Sequence, residues 1–124
     1  SRLAGDLVMN YIIPAAIRYQ NRLLENVEGM QDTGMKKNLY ATQTGILTEI
    51  SEHLSSIKSA VEDMVGARKK ANVMEDARKK AMTYCSAVRP YLDTIRYHVD
   101  KLELLVDNEL WPLPKYRELL FIGR

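Results

Sequence analysis

Two histidines, one cysteine and a doubled Arg-Lys-Lys are the residues of this chain whose chemistry could go beyond packing. His53 and His98 are the only imidazoles, and imidazole is both a common metal ligand and the usual general base near neutral pH. If they lie on two helices of a hairpin that turns near Asn72, His53 faces the level of Tyr91 and His98 that of Ile46. Seven residues separate those levels, or ~10 Å along a helix axis, which argues against a shared metal site. No cysteine or second histidine stands four residues away to complete a zinc set. Glu49 and His53 are i,i+4 neighbours, a common surface pairing. Cys85 follows Tyr84, a member of an apolar stripe, and reads as a buried inert thiol rather than a nucleophile. Glycines are scattered singly, so no loop cradles a phosphate. The carboxylates fall on solvated helix faces. No catalytic, cofactor-binding or metal-ligating residue is therefore assigned.

The basic residues are the other candidate. Ala67-Arg68-Lys69-Lys70-Ala71 is echoed by Ala77-Arg78-Lys79-Lys80-Ala81, giving six cations between Gly66 and Ala81 against Glu75 and Asp76. At the tip of a helical hairpin they could meet an acidic partner or nucleic acid. No aromatic residue is interleaved to stack a base, and cations near a helix C-terminus are stabilised there in any case. A solvated tip is the plainer reading.

Helices must position all of these groups. Leu47, Ile50, Leu54, Ile57, Val61 and Met64 recur at alternating three- and four-residue intervals, a narrow stripe along one helix face. Such a stripe needs partner helices, because an isolated helix is marginal in water. The spacing predicts that helix from about Leu39 or Ile46 to near Ala71. A first helix is expected from Asp6 to Met30, apolar at Leu7, Tyr11, Ile12, Ala16, Tyr19, Leu23, Val27 and Met30, and interrupted near Ile13 by Pro14. Asn72 and Glu75 resemble an N-cap and its N3 partner and predict the start of a third helix. Its stripe is Met74, Ala77, Ala81, Tyr84, Val88, Tyr91, Ile95, Val99, Leu102 and Val106, holding its phase across a bend at Pro90. Residues 31–45 show little periodicity and read as a loop. The expected fold is all-α: an elongated antiparallel three-helix bundle, a single domain over 1–124. Trp111-Pro112-Leu113-Pro114 ends the third helix, and Pro114 suits the first turn of a short final helix. Leu119, Leu120, Phe121 and Ile122 then need an apolar surface, on this bundle or on a neighbour.

Composition narrows the class. With 46% hydrophobic and 27% charged residues the chain is of ordinary globular make-up, and a net charge of +2 gives no case for nucleic acid. One cysteine and no Asn-x-Ser/Thr acceptor fit a reducing, cytoplasmic setting. The most apolar stretch, Leu7 to Ile17, is too short to span a bilayer. The chain begins Ser-Arg, already close to helical pattern, and reads as a piece of a longer protein.

Three passages together resemble one family. The first is Leu3-Ala4-Gly5-Asp6-Leu7-Val8-Met9-Asn10, continued by Tyr11-Ile12-Ile13-Pro14-Ala15-Ala16-Ile17-Arg18-Tyr19-Gln20-Asn21. The second is Ala67-Arg68-Lys69-Lys70-Ala71-Asn72 with Glu75-Asp76-Ala77-Arg78. The third is Ile95-Arg96-Tyr97-His98-Val99-Asp100-Lys101-Leu102-Glu103 with Asp107-Asn108-Glu109-Leu110-Trp111-Pro112-Leu113-Pro114-Lys115-Tyr116-Arg117-Glu118-Leu119-Leu120-Phe121. Together they resemble the C-terminal region of bacterial type III glutamine synthetase, and a helix repeat alone does not require Trp-Pro-Leu-Pro. The resemblance implies a parent enzyme that joins glutamate and ammonia with ATP and divalent Mg or Mn, through a γ-glutamyl phosphate, in a large homo-oligomer of stacked rings. Its ATP, metal and glutamate residues would lie upstream, in a catalytic domain absent here. This segment would be a non-catalytic helical domain packed on that domain or on neighbouring subunits. Trp111, Leu113, Tyr116 and Phe121 are then the expected docking residues, because aromatic anchors dominate interfaces. The alternative is a free-standing interaction module that uses its basic tip.

Overall fold

A computed structural model describes residues 2–113. The first rod comprises α1 (Arg2–Leu7), a π turn (Val8–Ile12) and α2 (Ile13–Asp32). After a 3-10 turn (Lys37–Tyr40) comes α3 (Ala41–Asn72), whose 32 residues span ~48 Å. The last rod comprises α4 (Ala77–Thr83), a second π turn (Tyr84–Val88) and α5 (Arg89–Leu105). Among the described residues there is no strand, and the architecture is the all-α three-helix bundle that the periodicity predicts. The short helix expected after Pro114, with Tyr116 and Phe121, lies outside the described residues.

α3 is the helix on which both other rods pack. Ile50, Ile57, Val61 and Met64 of its stripe are buried, and Leu54 packs against them. The first rod runs antiparallel to α3. Gly5 stands beside Met64, Gln20 Nε2 donates to Ser51 Oγ at 2.8 Å, and Gln43 Nε2 donates to Asn26 Oδ1 at 2.9 Å. Across the other seam Val88, Ile95, Leu102 and Val106 fill the core from the last rod.

Both prolines are accommodated in the same way. A proline removes one N–H and crowds the carbonyl four residues back, so an ordinary α turn there is strained. Here Ile13 N–H donates to the Val8 carbonyl and Arg89 N–H to the Tyr84 carbonyl, each a five-residue step that widens the turn. Pro14 and Pro90 each follow as the second residue of the next helix. The expected interruption near Ile13 and the bend at Pro90 are thus π turns. Each inserts a residue, which rotates the helix face. Val8 and Ile12 are therefore buried while Tyr11, expected inside, is 57% exposed.

Three other expectations need correction. Residues 31–45 are mostly helical: α2 ends at Asp32, Gly34 turns the chain at φ 78°, and buried Tyr40 leads into α3. Asn72 is the last residue of α3 and not the cap of the next helix; the cap is Asp76, whose carboxylate accepts from Arg78 N–H at 2.9 Å and Lys79 N–H at 3.2 Å. Asn72 instead accepts the Tyr84 hydroxyl across the turn. Met74, Ala77 and Ala81, expected in the stripe, are exposed. Removing the cap with Asp76→Ala should cost about 1 kcal/mol, read as a lower urea midpoint with an unchanged slope.

Candidate functional site

The polar centre of the molecule lies on the seam between α3 and α5. His53 stands one residue before the stripe residue Leu54, and His98 one before Val99, so each is half-buried at the seam's edge. Their Nδ1 atoms are 2.9 Å apart, with ring centroids 5.1 Å apart and planes inclined by 52°. One ring donates Nδ1–H and the other accepts. Tyr97 packs edge-on against His98 at 5.1 Å, and Lys101 Nζ lies 5.4 Å from the Tyr97 ring centre. The expected separation of ~10 Å is overturned. The hairpin turns through 73–76 rather than at Asn72, and each residue of delay moves the facing partner by two. The π turn adds another, so the level facing His53 moves about six residues beyond Tyr91, to Tyr97 and His98.

Burial, and then the neighbouring His53 imidazole, hold His98 below the ordinary histidine range. The native state therefore resists a proton that the unfolded chain accepts near pH 6.5. This contribution to stability is complete above about pH 6.5 and is lost as pH falls toward the lowered native value. We expect a lower melting temperature at pH 5.5 than at 7.5, and a smaller difference in His98→Gln. An equal difference in that variant would place the titration elsewhere.

The other chemistry-bearing residues do not converge. Cys85, expected buried, is exposed, because it lies in the π turn whose inward position belongs to Val88. Among the described residues no group of three or more His, Cys, Asp or Glu side chains is placed to hold a metal. The basic runs sit where the sequence puts them: Arg68, Lys69 and Lys70 in the last turns of α3, with Arg78, Lys79 and Lys80 in α4. A groove of about 700 Å³ beneath this tip runs between Glu62, Asp63 and Lys70 on one side and Met74, Pro90 and Tyr91 on the other. No described helix is long and apolar enough to cross a membrane.

At the far end, Val106 turns extended and ends α5, and the Asp107 carbonyl accepts from both Leu110 and Trp111 N–H at 3.1 Å. The Asp107 carboxylate holds Glu109 N–H at 2.8 Å. This turn folds Trp111 back into the bundle, where it is 6% exposed among core residues, with Leu113 packed against the same cluster. Of the expected docking residues, Trp111 thus lies inside the bundle's own core. The missed signal was Asp107 two residues before Glu109, a side-chain-closed turn that reverses the chain.

No family model matches the chain. It is 49% identical to a protein named glutamine synthetase from Bacteroides fragilis, over 98% of this chain and 17% of that protein. It is 25% identical to a protein named type-3 glutamine synthetase from Dictyostelium discoideum, over 94% of this chain and 16% of that protein. The chain thus spans about a sixth of the length of the curated relatives it matches. The resemblance carried by the three sequence passages is real, and it takes in nearly the whole chain.

Proposed function

We propose that this chain is the C-terminal helical domain of a glutamine synthetase, a non-catalytic module that supports packing of the parent enzyme or assembly of its subunits. One observation carries the reading: a 49% identity that runs through 98% of this chain yet occupies only 17% of the relative. A slice of that size leaves ample length elsewhere for the catalytic residues, which the described bundle does not assemble. In the parent, ATP would phosphorylate the glutamate γ-carboxylate with the help of divalent metal, and ammonia would displace the phosphate. This domain's own residues take no part in those steps.

Surface left open by the bundle supports a docking role. Tyr97 and Leu104 are 57% and 80% exposed and, seven residues apart, share one face of α5. Ile17 and Leu24, each 44% exposed, do the same on α2. Apolar side chains aligned in this way are better suited to a protein contact than to water. The occupant proposed is the remainder of the same enzyme or its neighbouring subunit, with Leu113, Tyr116 and Phe121 continuing the contact from the C-terminal end. The test is to delete this segment from the full-length enzyme and record glutamine synthesis and particle mass on one preparation. Loss of both is the expected result; retention of both would sink the assembly role. Leu104→Asp in the full-length enzyme should lower particle mass while leaving the domain helical.

The basic tip favours a second reading, a contact with an acidic partner, since its six cations crowd one end of the hairpin. Binding of this kind would weaken steeply with salt.

A further inference from the structure

We propose that His53 and His98 form an interhelical two-histidine site for a divalent transition-metal ion, of which zinc is the working example. The inference rests only on this chain's own residues and is independent of the parent enzyme's identity.

Geometry is the first argument. Two imidazole nitrogens on a tetrahedral zinc, at about 2.0–2.1 Å from it, lie about 3.3 Å apart with ring centres about 5 Å apart. Here the two Nδ1 atoms are 2.9 Å apart and the centroids 5.1 Å apart. The ring centres already stand at the ligated separation, but the nitrogens face each other almost along the line of centres, so each ring turns by about 35° to aim both lone pairs at one ion. Both rings present the same atom, Nδ1, to each other across the seam. The ion takes the place of the single proton that the two nitrogens now share, and that proton moves to Nε2 of the donor ring through solvent. No oxidant or co-reactant is needed.

Rigidity and access are the second argument. The ligands stand on different helices of the seam, each followed by a residue packed on the core, Leu54 and Val99. They are therefore placed by the fold instead of by flexible loops. A surface cavity of about 470 Å³ adjoins His98, lined by Ser55, Ser59, Asp63 and Thr94 among others. It reaches the pair from the His98 side and leaves room there for waters beside that ring. Two protein ligands and waters make a site of modest affinity that clamps α3 to α5.

The experiment is a calorimetric titration of the 124-residue chain, which has its own core, with zinc at pH 7.5 and no histidine tag. Circular dichroism first establishes that each variant is folded. Saturable one-to-one binding with Kd below about 100 μM is expected, accompanied by a rise in melting temperature. His53→Gln and His98→Gln should each weaken it at least tenfold, and Cys85→Ser should leave it unchanged. In nitrogen-15 spectra the imidazole Nδ1 resonances, not those of Nε2, should move with zinc. Absence of saturable binding, binding that survives either glutamine variant, or binding lost with Cys85→Ser would each overturn the site.

Discussion

Ile57→Asp should abolish the cooperative fold. Ile57 is fully buried at the middle of α3, where the helix is covered by the rod before it and the rod after it. An aspartate there loses the aliphatic contacts and brings a carboxylate into a site with no partner. Loss of the aliphatic side chain alone costs about 2–5 kcal/mol, and an unpaired buried charge adds several more. A domain of this size has about 5–15 kcal/mol in total, so the sum exhausts it. The expected observation is a helical signal that melts without a sigmoidal transition, or none at room temperature. Ile57→Val, which only removes a methylene, should cost about 0.5–1.5 kcal/mol and keep the transition. A folded Ile57→Asp with an unchanged melting temperature would mean that α3 is not the common support of the other two rods.

Trp111→Ala should destabilise the isolated chain by about 3–5 kcal/mol, the range for truncating a buried large aromatic. The family resemblance implies a docking surface for this residue, where truncation would spare the bundle. Its 6% exposure and its place in the core cluster with Val106 move the expected cost to folding. The two outcomes separate cleanly in the isolated chain: a large fall in urea midpoint for a core residue, none for a docking residue. Trp111 is the only tryptophan, so its fluorescence gives a second readout without mutation. A blue-shifted native emission that moves red together with the loss of helical signal is expected. Emission already characteristic of water in the native state would contradict the burial.

These effects bear on the proposed role. A domain stabilised by its own tryptophan and by the α3 stripe can hold a rigid shape without the parent enzyme. On the proposed reading, contact with the rest of the enzyme would fall to side chains that the core leaves over, such as Leu104 and Tyr97. Variants of the two classes should behave differently. Core variants should lower the melting temperature of the isolated chain, while Leu104→Asp should leave it nearly unchanged and act only on the assembly.

By itself, the sequence determined the helical class, the central helix and the inward face of most of its length. Those follow from the three-four spacing of apolar residues, which is a local property and survives any arrangement of partners. The stripe from Ile50 to Met64 and the inward run Val88, Ile95, Leu102 and Val106 were legible for that reason, while at the start of the stripe Ile46 packs on the core in place of the expected Leu47. The Trp-Pro-Leu-Pro string and its neighbours also carried the resemblance to glutamine synthetase. Tertiary structure alone decided the pairings. Whether His53 meets His98 depends on where the hairpin turns, and a few residues of error there are doubled across the seam. An i,i+3 pattern at Asn72 and Glu75 competed with the true cap at Asp76, and only packing chose between them. The π turns before Pro14 and Pro90 each add a residue, turning Tyr11 and Cys85 outward, and no local periodicity registers that slip. Trp111 faces inward because the Asp107 turn brings it back onto helices that are distant in sequence. Helix faces are written in one segment at a time; contacts between them depend on turn position and helix phase, which accumulate along the whole chain.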